Sequence, residues 1–350
     1  MAGTTQAWTL TGHGGPEMLQ RREVPIPEPG PGEVLVRVTA AALNNTDVWT
    51  RTGAYGLPGA PDARAGWRGP IAFPRIQGGD AAGVVEQVES GVDSGLAGRR
   101  VLVDPALYDG DGTDATPVGL LGSEADGTFS GHVLVDARRV HDVGGAPLTD
   151  GELAALPVAY GTAMGMLERA AIGPGETVLV TGASGGVGLA LVQLAAARGA
   201  HVVTVTSAAK AGAVRDAGAE HVVDRGDGPR AVTTAVAAAA PYGIDAVADV
   251  AGGDLLPALL PSIRDGGRWV IAGAVAGPVV ALDLRRLYLH NVSLIGSSMH
   301  TPAHFDRLLA DARSGAVRPR IAARYPLAEL DAAQAEFLRG EHIGKIVVEP

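Results

Sequence analysis

Apolar positions follow two different patterns along this chain, and the change falls near residue 150. Before it, short β-branched or alternating runs predict strands over residues 34–38, 81–88, 100–103 and 132–135. The stretch 25–33 is turn-rich, because its prolines lack the N–H that a strand needs. Residues 104–128 are rich in Gly, Asp and Pro with little periodicity, which predicts a loop. Short strands at this spacing suggest a barrel-like β domain. Beyond residue 150 a helical pattern covers 153–169, interrupted by Pro157 and Gly161. Strands and Ala-rich helices then alternate. The strands are predicted over 177–181, 201–205, 221–223, 246–249 and 268–272, with helices over 186–198, 210–217, 232–240 and, briefly, 255–263. Such alternation means a parallel sheet with helices on both faces. A strand over 292–296, a helix over 304–313 and a last strand over 343–348 follow.

The most specific local string runs from Thr177 through Gly182-Ala183-Ser184-Gly185-Gly186-Val187-Gly188 into a helix. A strand, a glycine turn and a helix N-terminus make a pyrophosphate cradle. Gly185 lets the backbone approach the ligand, Gly188 lets the helix pack on the strand, and the helix end supplies free N–H groups. The first glycine position of the usual G-x-G-x-x-G holds Ala183. NAD-binding folds end their second strand in a carboxylate that accepts from the ribose hydroxyls. Here Thr206, Ser207 and Lys210 stand there, and Arg225 follows the third strand. These groups suit a 2′-phosphate, so the sequence predicts NADPH over NADH.

Composition narrows the chemistry. The 350 residues include no cysteine, which removes disulfides, thiolate zinc sites, iron–sulfur clusters and thiol nucleophiles together. A net charge of −10 argues against nucleic-acid or anionic-membrane partners. No basic n-region or apolar h-region opens the chain and no spanning apolar run follows, so a soluble, cytoplasmic protein is expected.

With these residues in hand, the chain resembles the medium-chain dehydrogenase/reductase superfamily, and most the zinc-independent quinone oxidoreductase branch. The resemblance covers nearly the whole length. It rests on Ala41–Asp47, Arg51–Tyr55, Gly78–Val84, Asp126–Ser130, the glycine turn, Asp245–Gly253, Ile295–Met299 and the tail Gly344–Val347. It implies a GroES-like β-barrel catalytic domain from residues 1–150 and 290–350 around a Rossmann doubly wound parallel-sheet NADPH-binding domain, 151–289. Zinc-dependent members hold a catalytic metal with Cys, His and Cys, beside a Glu. The matching positions here are Asn44, Gly79 and Val158, with Asp80 in the Glu place, so no metal is expected. The four-cysteine structural zinc lobe corresponds to 104–128, which has none of its ligands.

Alcohol oxidation without a metal lacks the group that acidifies the hydroxyl. Hydride transfer to a quinone or an α,β-unsaturated carbonyl needs only donors at the carbonyl oxygen and a proton source. The resemblance gives Asn44 and Tyr55 as catalytic candidates. Asn44 is expected to turn its amide toward the nicotinamide and substrate, and Tyr55 to donate a hydrogen bond or proton. Thr162 is expected against the nicotinamide, with Gly273 and Ser297 closing on it. A homodimer is implied through the edge strand that follows 279. A specialised biosynthetic reductase or dehydrogenase of the same fold and a non-catalytic NADPH-binding protein remain alternatives.

Overall fold

The computed structural model describes residues 3–57, 59–226 and 228–350. In chain order its first strands are β1 (Thr4–Leu10), β2 (Leu19–Pro25) and β3 (Glu33–Ala42). Helix α1 (Asn45–Thr52) follows, then β4 (Arg75–Ile76), β5 (Asp80–Val88), β6 (Arg100–Val103), β7 (Ala106–Tyr108), β8 (Pro117–Leu120), β9 (His132–Asp136) and β10 (Val140–Asp142). Two helices, α2 (Asp150–Ala154) and α3 (Pro157–Arg169), replace the single interrupted helix expected, because Pro157 opens a new helix. The alternating region gives β11 (Thr177–Val180), α4 (Gly186–Ala197), β12 (His201–Thr206), α5 (Ala211–Asp216), β13 (His221–Asp224), α6 (Gly228–Ala239), β14 (Ile244–Asp249), α7 (Leu255–Leu259), β15 (Ile263–Ile271), α8 (Arg285–Tyr288) and β16 (Ser293–Gly296). The chain closes with α9 (Pro302–Ser314), β17 (Ile321–Pro326), α10 (Leu330–Arg339) and β18 (Lys345–Glu349).

Two compact units result: Met1–Val158 with Thr301–Pro350, and Ala159–His300. The sequence pattern places the corresponding boundaries at 150/151 and 289/290. In the first unit a seven-stranded sheet runs β10-β6-β5-β3-β18-β17, with β9 also paired to β3. Val34, Val36 and Val38 of β3 point into a core shared with Val85, Val101, Phe129, Val133 and Ile346. Leu35 on the opposite face is buried as well, so β3 is a central strand covered on both faces along much of its length. The 104–128 stretch is not the plain loop expected: β7 and β8 form a hairpin within it. Strands this short leave almost no periodic signal. Asp104 fixes the lobe, accepting from the Ala106 N–H and the Tyr108 hydroxyl, both at 3.0 Å, while Arg139 lies over the Tyr108 ring.

The second unit is a six-stranded parallel sheet in the order β13-β12-β11-β14-β15-β16. Its strands leave β11 in both directions, so the β11/β14 pair is the topological switch point. Ligands of such sheets bind there, beyond the carboxyl ends of the strands. Val203, Val205, Val247, Leu259 and Trp269 form its buried core.

Candidate active site

Strand register builds the polar centre of the first unit. In β3, Ala42 faces Asp80 of β5 on one side and Val347 of β18 on the other. Continuing the antiparallel β3/β18 register by two residues sets Lys345 beside Asn44, where β3 gives way to α1. Three residues far apart in sequence therefore meet. Their exposures are 8% for Asn44, 0% for Asp80 and 3% for Lys345.

The Lys345 ammonium donates to Leu43 O at 2.7 Å, Asn44 Oδ1 at 2.5 Å and Asp80 Oδ2 at 2.9 Å. Asn44 Nδ2 donates to Asp80 Oδ2 at 2.9 Å and to Ala42 O at 3.3 Å. The other Asp80 oxygen accepts the Val158 N–H at 2.7 Å. A buried charge is tolerable only when paired and hydrogen-bonded, and here both charges are. Asp47, in the first turn of α1, accepts the Asn44 N–H at 2.7 Å, and Gln77 Nε2 donates to the Asp47 carbonyl at 2.9 Å. Burial pushes the Asp47 carboxyl up to about 7, against the opposing pull of the Asn44 hydrogen bond and the Lys345 charge.

The network changes the role expected of Asn44. Both its N–H groups are engaged within the protein, so its amide is not a free donor in this arrangement. Tyr55 is half-buried, stands edge-on to Trp49 at 5.4 Å, and donates its hydroxyl to Thr46 Oγ1 at 3.0 Å. Burial raises the Tyr55 phenol above its ordinary range, so it holds its proton.

A divalent metal does not fit this donor set. Gly79 has no side chain, and a Cβ there would already stand 3.2 Å from Val158 Cγ2. Val158 offers only an apolar group. The Asn44 oxygen and Asp80 are held by an ammonium, not presented to a cation. Among the described residues no group of three or more His, Cys, Asp or Glu is arranged to hold a metal ion.

The second unit carries the glycine turn at the end of β11, at the switch point. Gly185 is the N-cap of α4 with extended backbone (φ −79°, ψ 177°), and no side chain caps the helix. The first-turn N–H groups of Gly186, Val187 and Gly188 are thus left for a ligand anion. A Cβ at Gly188 would stand 2.2 Å from Gly182 O and 2.7 Å from Ala183 Cα, so only glycine permits this closeness. The turn is braced by a residue the sequence reading did not single out. Asp249, buried at the end of β14, accepts from Thr181 Oγ1 at 2.5 Å, from the Ala251 and Gly252 N–H groups at 2.9 Å, and from Trp269 Nε1 at 3.0 Å. Gly273 lies close to the same loop, since a Cβ there would meet Val250 O at 2.8 Å. This cradle fits a dinucleotide pyrophosphate.

Thr206 ends β12, and its carbonyl accepts the Arg225 N–H at 2.9 Å, so Thr206, Ser207, Lys210 and Arg225 lie at one end of neighbouring strands. The structure adds Asp224 to them: its carboxylate accepts the Ala208 and Gly226 N–H groups at 3.1 Å. Thr162 is buried, with its hydroxyl 3.9 Å from Met299 Sδ. Ser297 is buried, with its oxygen 3.2 Å from Arg169. Among the described residues no helix is long and apolar enough to cross a membrane.

With this geometry in view, the comparisons with known proteins are informative. The alcohol dehydrogenase GroES-like domain family matches residues 30–145, and the zinc-binding dehydrogenase family matches 186–314. A quinone oxidoreductase of Pseudomonas aeruginosa is 31% identical, covering 97% of each chain. This chain belongs to the medium-chain dehydrogenase/reductase superfamily, in its quinone oxidoreductase-like branch. An acryloyl-coenzyme A reductase of Metallosphaera sedula is also 31% identical, over 93% of this chain and 95% of its own. Among solved structures, one from Sinorhizobium meliloti 1021 described as an alcohol dehydrogenase is 46% identical with a TM-score of 0.95, covering 100% and 98% of the two chains. A 2-octenoyl-CoA carboxylase reductase, solved with NADP and 2-octenoyl-CoA, is 28% identical with a TM-score of 0.87, covering 100% and 88%. The chain is therefore that of an oxidoreductase.

Proposed function

We propose that the protein is a zinc-independent, NADPH-dependent reductase that transfers hydride to a quinone or an α,β-unsaturated carbonyl, thioesters included. The observation that carries this reading is the donor set at Asn44, Gly79 and Val158, which offers no metal a coordination sphere, in a chain whose relatives include reductases of conjugated acceptors. Bound NADPH would supply the hydride. The N-terminus of α4 would take its pyrophosphate, and Ser207, Lys210 and Arg225 its 2′-phosphate. Thr162, Gly273 and Ser297 would flank the nicotinamide. In the catalytic domain, Asn44 would form a rigid wall of the substrate site, held by Asp80 and Lys345. Tyr55 would donate a hydrogen bond to the carbonyl oxygen as charge grows there, exchanging its Thr46 partner for the substrate.

The test uses pure protein, NADPH or NADH, and a panel of quinones, enones and enoyl thioesters, followed by loss of reduced-cofactor absorbance. Turnover of a conjugated acceptor with NADPH preferred is expected, and cofactor binding without turnover of any acceptor would overturn the reading. We propose a homodimer as well. Strand β16 ends its sheet, and Val279, Leu284, Tyr288, Leu289 and Leu294 beside it are exposed, Val279 at 90%. Pairing two such edges would cover them. Light scattering coupled to gel filtration would show twice the 35.4 kDa chain mass, and a monomer at micromolar concentration would reject the dimer.

A further inference from the structure

We propose that the Lys345 ammonium is the resident cation of the active site: it stands in for the metal of metal-dependent relatives, closes that place to divalent ions, and with Asp80 fixes the Asn44 amide. The inference deepens the metal-free reading above and rests on it.

The geometry has three parts. First, the ammonium has three N–H donors, and three oxygens, Leu43 O, Asn44 Oδ1 and Asp80 Oδ2, accept them at 2.5–2.9 Å. The donor capacity is used completely, as it should be for a buried charge. Second, two of these oxygens belong to Asn44 and Asp80, which match the positions of a ligand and of its neighbouring carboxylate in metal-dependent relatives. A divalent ion entering among them would meet a positive charge at contact distance. Lys345 opens β18, whose register against β3 holds it there. Third, the charges orient the amide. Asn44 turns its oxygen to the ammonium and its NH2 to the carboxylate. Rotating the amide by half a turn would set NH2 against the ammonium and oxygen against the carboxylate, two repulsive contacts in a buried place. One lysine and one aspartate therefore select a single amide orientation, and Asp80 is in turn anchored by the Val158 N–H. Lys345 and Asp80 act on the reaction through Asn44, as positioning residues.

The test compares wild type, Lys345→Ala, Asp80→Asn and the double variant. Each is equilibrated with ZnCl2, desalted and analysed for zinc, and each is melted with and without ZnCl2. Wild type should retain no stoichiometric zinc, and its Tm should not move. Lys345→Ala leaves the carboxylate buried and unpaired, and should lose on the order of 10 °C in Tm. Added zinc should recover part of that loss. Lys345→Ala/Asp80→Asn should be more stable than Lys345→Ala alone, and it carries the test if the single variant does not fold. On any accepted substrate the double variant should lose kcat on the order of tenfold, as outer-shell changes do, with KM for NADPH unchanged. Stoichiometric zinc in wild type that is lost in Asp80→Asn would overturn the proposal. So would additive Tm losses in the double variant, or an unchanged kcat. The zinc and melting readouts need no substrate, so failure to reduce any acceptor would reject the proposed function and leave this inference to be judged separately.

Discussion

The glycine turn and the Asn44–Asp80–Lys345 cluster are opposite kinds of site. The turn is made of backbone. Its residues are consecutive, its donors are helix N–H groups, and its requirement is the absence of a side chain at Gly188. The cluster is made of side chains from three strand ends, 36 and 301 residues from Asn44, brought together by sheet register. A backbone site depends on local shape and tolerates no added atom. A side-chain cluster depends on charge balance and tolerates no lost partner. Even the buried carboxylates differ in this way. Asp249 accepts four hydrogen bonds to shape the loop beside the turn, whereas Asp80 balances a charge.

The largest effect should come from adding one carbon to the backbone site. In Gly188→Ala the new Cβ meets Gly182 O and Ala183 Cα, both main-chain atoms that cannot rotate away. A strain of about 3 kcal/mol corresponds to about 100-fold in Kd, so NADPH binding followed by cofactor fluorescence should be nearly lost. Binding within threefold of wild type would show that the close approach is not what the glycine provides.

The same contrast explains what was legible in the sequence. The glycine turn, the alternating strands and helices, and the two-domain plan were readable, because each is carried by local strings or by the period of apolar positions. The hairpin of β7 and β8 was not, being built from two strands of three and four residues amid Gly and Pro. Asn44 was singled out by its position, but its buried partners Asp80 and Lys345 were not. The signal for Lys345 was present: it is one of only two lysines, in the tail Gly344-Lys345. Nothing local ties that tail to Asn44. Only the β3/β18 register does, and register across 301 residues is not written in any window of sequence. Asp249 was hidden for the same reason, since its partners Thr181 and Trp269 lie on two other strand ends.

The next effect probes the charge-balanced region through pH. Burial holds the folded Asp47 carboxyl up to about 7, while an unfolded aspartate loses its proton near pH 4. Between these values the folded state binds more protons, so stability from this group falls as pH rises. It is fully present below about pH 4 and lost by about pH 7 and above. Asp47→Asn keeps an oxygen to accept the Asn44 N–H and removes the titration. In urea melts from about pH 4 to about pH 7, the variant should gain stability relative to wild type at each step upward. A constant difference across that range would show that the Asp47 carboxyl titrates normally.

A smaller effect separates charge from shape in the cofactor domain itself. Lys210→Ala/Arg225→Ala leaves the glycine turn intact and removes two cations near the end of β12. NADPH should weaken by about tenfold or more, the worth of a charged hydrogen bond, with NADH affinity nearly unchanged. Asp224, which pins Ala208 and Gly226, supplies the opposing charge, so its loss should favour NADPH. Equal weakening of both cofactors would remove the phosphate assignment while leaving the turn untouched.

The smallest effect concerns Tyr55, where the side-chain site offers a neutral group. Tyr55→Phe removes the bond to Thr46 and keeps the ring against Trp49, so stability should drop by about 1 kcal/mol. If the hydroxyl donates to a growing oxyanion, kcat should also fall, by about tenfold or more, with KM for NADPH unchanged. The pH profile discriminates donation from acid catalysis by a readily ionised phenol. Burial raises this phenol, so it keeps its proton through the alkaline range in which a free tyrosine, of pKa about 10, begins to ionise. Wild-type kcat should therefore show no loss assignable to Tyr55 up to about pH 10, and Tyr55→Phe should lower the whole profile without changing its shape. An alkaline limb present in wild type and absent from Tyr55→Phe would mean that the hydroxyl titrates in the working enzyme. Tyr55 would then belong with the charged groups of the cluster and not with its neutral donors.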